Sequence, residues 1–271
     1  MTDPVRRFER LMEVLRSPGG CPWDREQTPE TLRSYVIEEA FEVVEAIDSG
    51  DPRALREELG DLLLQVVFLS QIAKERGWFD LDGVATAIAD KMERRHPHVF
   101  AQESAATATE VSAQWQALKA KEGRRLLSGV PRALPALTRS LRVTEKAATV
   151  GFDWTDPDRV LDKVEEELGE LRQALRAGEL AHVEAELGDL LFALANFGRH
   201  CRVDPEAALR GTVERFTSRF AFIEDAVLAQ GRNLQDADLE EMEALWAEAK
   251  RQEAKRAEEE GKERLAVGRE P

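Results

Sequence analysis

Two pairs of acids recur in one spacing at two places in the chain. Glu39-x-x-Glu42 and Glu58-x-x-Asp61 return 128 positions later as Glu167-x-x-Glu170 and Glu186-x-x-Asp189, with fifteen residues between the pairs each time. The stretches 36–69 and 164–197 agree at about a third of positions, and the matches gather on the acids and on Glu-Leu-Gly-Asp-Leu-Leu at 58–63 and 186–191. Residues three apart on a helix project from one face about 4.5 Å apart along the axis, so each pair is a two-carboxylate claw. Converging carboxylates need a positive partner, because a buried, unpaired charge is costly. Few basic residues lie near in sequence: Lys163 and Arg172 flank one pair, Arg56 precedes another, and Lys74 and Arg76 come late. Hard oxygen donors without His or Cys at metal spacing suit Mg²⁺, or Mn²⁺, better than Zn²⁺. All eight acids are therefore candidate metal ligands, the rival reading being ion-paired or protonated structural acids.

Such claws can hold two divalent ions a few ångströms apart, an arrangement that activates water and neutralises a polyphosphate. The matching chemistry is phosphoanhydride hydrolysis, with Glu38 and Glu166 beside the claws as a general base or an additional ligand. A glycine-rich P-loop pattern is missing from the sequence, which disfavours a kinase or motor ATPase.

The elements that must position these acids read as helices. Val36, Ile37, Ala40, Phe41, Val43, Val44 and Ile47 form an apolar stripe opposite Glu38, Glu39, Glu42 and Glu45. The segments carrying Glu58/Asp61 and Glu186/Asp189 are apolar nearly all round, which predicts buried helices with buried carboxylates. A first helix is expected from about Pro4 to Leu15, an ordered loop at Cys21-Pro-Trp-Asp24, and a helix start at Thr28-Pro29. Another helix from about Leu81 to His96 leaves Lys91, Arg94 and Arg95 near its end, as dipole complement or as anchors for a polyanion. The second half repeats the plan, with helices near 135–150, 156–177, 179–202, 205–230 and 236–260.

The fold expected is all-α: a tandem duplication of a four-helix bundle, residues 1–125 and 126–255, followed by a charged, disordered tail at 256–271. The connector at 101–135 is expected to hold a short helix around Trp115. Such small, acidic bundles complete their cores by pairing, so a homodimer is expected. The net charge of −15 disfavours nucleic acid or an anionic membrane as main partner. Cys21 and Cys201 read as reduced, half-buried thiols, and the lack of a signal peptide or apolar span points to the cytoplasm.

In combination, the tandem acid motifs, Gly20-Cys-Pro-Trp-Asp24, Glu58-Leu-Gly-Asp-Leu62, Arg94-Arg-His-Pro-His-Val-Phe100 and Gly151-Phe-Asp-Trp154 resemble the MazG nucleoside triphosphate pyrophosphohydrolases over nearly the whole chain, most closely the two-domain bacterial form. The resemblance implies an all-α dimer that, with Mg²⁺, cleaves nucleoside triphosphates to the monophosphate and pyrophosphate, serving nucleotide-pool housecleaning with broad base specificity. It also implies that the C-terminal repeat is the active one. Glu167, Glu170, Glu186 and Asp189 would then hold the metal with Glu166 assisting, Lys163, Arg215 and Arg219 would meet phosphates, and Trp246 and Lys250 would close over the nucleotide. Trp246 has core filler as its rival role. This chain departs from the family's basic helix at Val213, Arg215 and Ser218, and Ala185 stands where a glutamate is common. These changes thin the second site's nucleotide contacts, while the first repeat keeps Lys91, Arg94 and Arg95.

Two other readings compete. A non-catalytic nucleotide-binding or interaction module would bind ligand without turnover. A di-iron carboxylate bundle needs two Glu-x-x-His pairs; Glu93-x-x-His96 has that spacing at a helix end, but neither claw has a histidine at its fourth position.

Overall fold

Helices begin where the sequence supplies a cap. Asp3, Asp51, Asp80, Asp156 and Asp204 each accept a hydrogen bond from a backbone N–H of the turn that follows, satisfying donors the helix itself leaves open. Proline stands immediately after four of them, at Pro4, Pro52, Pro157 and Pro205, where its missing N–H costs nothing. The computed structural model describes residues 3–100, 107, 125–154 and 156–267, with backbone only at 257 and 260–267. Among the described residues there is no strand.

The chain divides into two compact units, Met1–Leu118 and Lys119–Pro271. In the first, α1 (Pro4–Arg16), α2 (Pro22–Glu26), α3 (Arg33–Ser49), α4 (Pro52–Glu75), α5 (Leu81–Arg95) and α6 (Pro97–Phe100) follow in order. The hairpin of α3 and α4 is its largest pairing, and α1 and α5 pack on α4. Met12, Leu32, Val67, Phe68 and Ile72 form the buried core where α1, the start of α3 and the second half of α4 meet. The Arg16 guanidinium lies 5.4 Å over the Phe68 ring and binds Glu75 and the carbonyls of Asp24 and Gln27, which ties α1 to α4 and to the α2 loop.

The second unit holds α7 (Ala136–Ala148), α8 (Pro157–Ala177), α9 (Leu180–His200), α10 (Pro205–Ala229) and α11 (Leu239–Val267). Here the α8–α9 hairpin dominates, α7 packs on both α9 and α10, and α11 packs on α10. Its compact cluster is Ile223, Val227 and Ala237, with Leu234, Met242, Leu245 and Trp246 against it. Both hairpins turn on a left-handed glycine, Gly50 at φ 68° and Gly178 at φ 74°, a conformation glycine adopts without the Cβ penalty.

The structure corrects several local expectations. Pro22–Glu26 is a short helix rather than a loop, because Pro22 takes the first helical position behind Cys21. Helix α3 starts at Arg33, five residues after Thr28. Thr28 and Thr31 instead bond each other's backbone N–H, closing a turn that competes with the helix. Helix α11 continues to Val267, beyond the point where the charged tail was expected to begin, through a run rich in Ala, Glu, Lys and Arg. Cys21 is half-buried as expected, but Cys201 is exposed. The expected helix around Trp115 lies outside the described residues.

The largest correction concerns burial. Leu59, Leu63 and Val66 on α4, and Leu187, Leu191 and Leu194 on α9, are exposed in the single chain, Leu187 to 46 %. A two-helix hairpin covers only the faces its helices turn toward each other, so helices that are apolar all round still keep an open side.

Candidate functional site

Each acid set sits across one hairpin, one claw per helix. In the first unit, Glu39 of α3 and Glu58 and Asp61 of α4 bring carboxylate oxygens within 4.8 Å of one another. Glu39 and Glu58 are half-buried and Asp61 is exposed. Gln65, one turn beyond Asp61, donates from Nε2 to Glu39 Oε1 at 3.2 Å. Glu42 lies outside the three-oxygen group but acts on it. The Glu39 carboxyl is pushed up by partial burial and then by Asp61 and Glu42, with Gln65 opposing. Glu58 is pushed up by partial burial and then by Glu42, Asp61 and Glu57.

In the second unit the group is Glu167 and Glu170 of α8 with Glu186 of α9, again within 4.8 Å. Asp189 stays outside it and is exposed. Glu167 is buried, at 6 % exposure, the one member of the eight acids that is. The general expectation of buried carboxylates is thus corrected to this single residue, because the open hairpin faces leave the others reachable by water. Lys163 Nζ stands 2.7 Å from Glu167 and 2.9 Å from Glu166, spacings of four and three along α8 that place it on the same face. These two acids push the lysine's proton affinity further up. Glu170 is pushed up by partial burial, then by Glu186 and Glu167.

Sequence reasoning missed His182. Its Nε2 lies 3.0 Å from Glu186 Oε1 and its Nδ1 3.7 Å from Glu179. The signal was present, since His182 is four residues before Glu186 and therefore one turn below it on α9. Gln65 was also missed, as a polar residue inside an apolar run.

The basic and aromatic candidates form a second cluster on α10 and α11. Arg219 donates to Glu253 Oε2 at 2.7 and 2.9 Å and lies 5.3 Å over the Trp246 ring. That pairing holds the Glu253 carboxyl below its ordinary value. Phe216 packs 5.2 Å from Trp246 and stacks 6.1 Å from Phe220. Arg215 donates to Thr212, and Lys250 is exposed. The bonds of Arg215 and Arg219 thus go to Thr212 and Glu253 rather than to the acid set. Trp246 is half-buried against the Ile223–Val227 core, so it serves at least as filler there. On α5, Lys91 and Arg95 are half-buried and Arg94 is exposed near the C-terminus.

The oxygen-rich donor sets fit a hard divalent cation. His182 Nε2 is the nitrogen adjoining the second set, and Glu179-x-x-His182 is a single Glu-x-x-His pair, whereas a di-iron bundle of that design would need two within the hairpins.

Comparison with known proteins places these hairpins in a lineage. Residues 27–100 match the MazG nucleotide pyrophosphohydrolase domain, and residues 138–215 match the phosphoribosyl-ATP pyrophosphohydrolase family. Each match covers one acid hairpin. The nucleoside triphosphate pyrophosphohydrolase of Escherichia coli K12 is 46 % identical over 259 residues, 93 % of this chain and 98 % of that protein. The chain belongs to the MazG family. A second MazG relative, the nucleoside triphosphate pyrophosphohydrolase/pyrophosphatase MazG of Thermotoga maritima, is 44 % identical over 250 residues, 90 % of this chain and 95 % of that protein. The likeness of this MazG chain thus runs along nearly the full length of both relatives. Among the described residues of this MazG chain no helix is long and apolar enough to cross a membrane.

Proposed function

We infer that the protein is a nucleoside triphosphate pyrophosphohydrolase, releasing pyrophosphate and the nucleoside monophosphate, with Mg²⁺ as its ion. The observation that carries this reading is the convergence of three carboxylates across each helical hairpin in a chain of this family. A divalent ion bound there supplies charge neutralisation and an activated water. The chain's own part is to fix the carboxylates on two helices, so that the ion and the phosphates it carries meet a preset geometry.

In the second unit, Glu167, Glu170 and Glu186 would hold the ion, with Asp189, three residues on along α9, as the fourth ligand. Lys163 offers its ammonium to a phosphate oxygen. Glu166, exposed and one residue from the set, accepts the proton of the attacking water as its oxygen bonds to the α-phosphorus and the bond to the pyrophosphate oxygen breaks. Arg215, Arg219, Trp246 and Lys250 contact the nucleotide. In the first unit, Glu39, Glu42, Glu58 and Asp61 are the corresponding ligands, with Lys91, Arg94 and Arg95 as the basic residues. The open apolar faces of α4 and α9 support a homodimer in which a second copy covers them. A cytoplasmic enzyme of broad base specificity completes the proposal.

The test is to incubate the full chain with Mg²⁺ and a panel of ribo- and deoxyribonucleoside triphosphates and to resolve the products. Monophosphate plus pyrophosphate is expected. Diphosphate plus phosphate would overturn the bond assignment, and ligand binding without turnover would leave the non-catalytic module.

A further inference from the structure

The two acid sets share one spacing but differ in what is built in beside them. In the first, the amide of Gln65 holds one oxygen of Glu39. Gln65 is 5 % exposed, and its own Oε1 has no hydrogen-bond partner. A buried acceptor without a donor is unfavourable, so the amide is kept in place for what its Nε2 does. Fixing one carboxylate oxygen orients the other, which is how outer partners tune a metal ligand. The position 128 residues on is Ala193, which has no polar group to offer.

In the second set a cation is already present. Lys163 Nζ is 2.7 Å from Glu167, the buried acid, and His182 Nε2 is 3.0 Å from Glu186. The corresponding first-repeat positions are Tyr35 and Ala54, neither of which carries a positive charge.

We propose that the two sets are unequal cation sites: the first takes a divalent ion onto carboxylates oriented by Gln65, and the second takes one against the Lys163 ammonium already paired with Glu167. Two cations on one carboxylate repel each other, and each draws on the single negative charge of Glu167. The incoming ion weakens the lysine pair, and that loss is subtracted from its affinity for the second set. The loosened ammonium remains tethered one turn away on α8, beside the ion, where it meets an anion arriving with that ion. Metal and anion binding are therefore coupled in the second set. The first set, whose built-in partner is a neutral amide, binds the ion without that opposing charge. The proposal rests on the preceding reading only for the class of ion, and its measurement involves no hydrolysis.

The experiment is a Mn²⁺ titration of the full chain without nucleotide, following free Mn²⁺ by electron paramagnetic resonance, with Mg²⁺ as competitor. Wild type is expected to show a tighter and a weaker class. Glu39→Gln is expected to remove the tighter class. Lys163→Met is expected to tighten the weaker class by about fivefold, the weight of one partly exposed ion pair, and to leave the tighter class in place. Gln65→Leu is expected to weaken the tighter class with an unchanged melting temperature, since leucine also removes the unpartnered oxygen. Lys163→Gln replaces Lys163→Met if circular dichroism shows the latter misfolded. A single class of sites, a weaker class unmoved by loss of Lys163, or loss of the weaker class in Glu39→Gln would overturn the proposal. These shifts in a protein that hydrolyses nothing would sustain it and sink the hydrolase reading. Equal sites in an active enzyme would do the reverse.

Discussion

Lys163 Nζ lies 2.7 Å from the carboxylate of Glu167, the buried member of the second acid set. One helical turn thus joins a candidate metal ligand to a candidate phosphate contact, and the pair gives a direct way to separate the two repeats. Glu167→Gln keeps size and hydrogen bonding but removes the charge. If the second repeat performs the reaction, this change lowers kcat by about 100-fold or more, while Glu39→Gln on the full chain lowers it far less. Pyrophosphate release under saturating Mg²⁺ checks both. The opposite ranking would move the reaction to the first repeat.

Removing and restoring the ion should appear as stability. Each hairpin holds three carboxylates within 4.8 Å, and their mutual repulsion is relieved when a divalent cation binds the folded state alone. At a hundredfold excess over its dissociation constant, Mg²⁺ adds about 2.7 kcal/mol. That corresponds to a rise of roughly 5–10 °C in Tm for a unit of this size. Differential scanning fluorimetry with Mg²⁺, then with chelator, reads the shift; a Tm indifferent to both would contradict metal binding at the claws.

Acid stability of the first unit depends on Arg16 and Glu75. Hydrogen bonds from Arg16, then from Gln71, hold the Glu75 carboxyl below its ordinary value of 4.5. A depressed folded-state value means that the pairing stabilises fully above the unfolded-state value and is lost as pH falls through the folded one. Arg16→Met should therefore flatten the dependence of unfolding free energy on pH below 4.5. It should also cost about 1–3 kcal/mol at neutral pH, because the carbonyls of Asp24 and Gln27 lose their donor. Urea titrations across that pH range measure both effects, and a parallel pH profile in the variant would refute the first.

The hairpin glycines should be less replaceable than those inside the acid motif. Gly178 sits at φ 74° as the cap of α8, whereas Gly188 lies inside α9 with open space where a Cβ would project. Gly178→Ala is expected to destabilise by about 1 kcal/mol through backbone strain. Gly188→Ala in the isolated chain is expected to gain up to about 1 kcal/mol of helix propensity. Thermal melts of the two variants side by side test the contrast. Loss of stability in Gly188→Ala that varies with protein concentration would show that a second copy packs on that face.

Much of the molecule was legible before any coordinates, and for local reasons. Capping aspartates followed by proline, glycines at the hairpin turns and the three-residue spacing of each claw act within one or two helical turns, so the amino-acid order alone determined the helices and the pairing of acids on each face. The 128-residue offset determined the duplication, and the motifs together determined the family. Convergence across a hairpin joins residues from different helices, and only the tertiary structure decided it. Glu42 stands aside in one set and Asp189 in the other, although their spacings are the same. The burial of Glu167 and exposure of Leu187 likewise depended on which helix faces meet. So did the capture of Glu39 by Gln65 from across the hairpin. Periodicity marks a face as apolar or acidic, but packing selects which of its side chains touch, because those contacts depend on how two helices are turned toward each other rather than on the order of residues along either one.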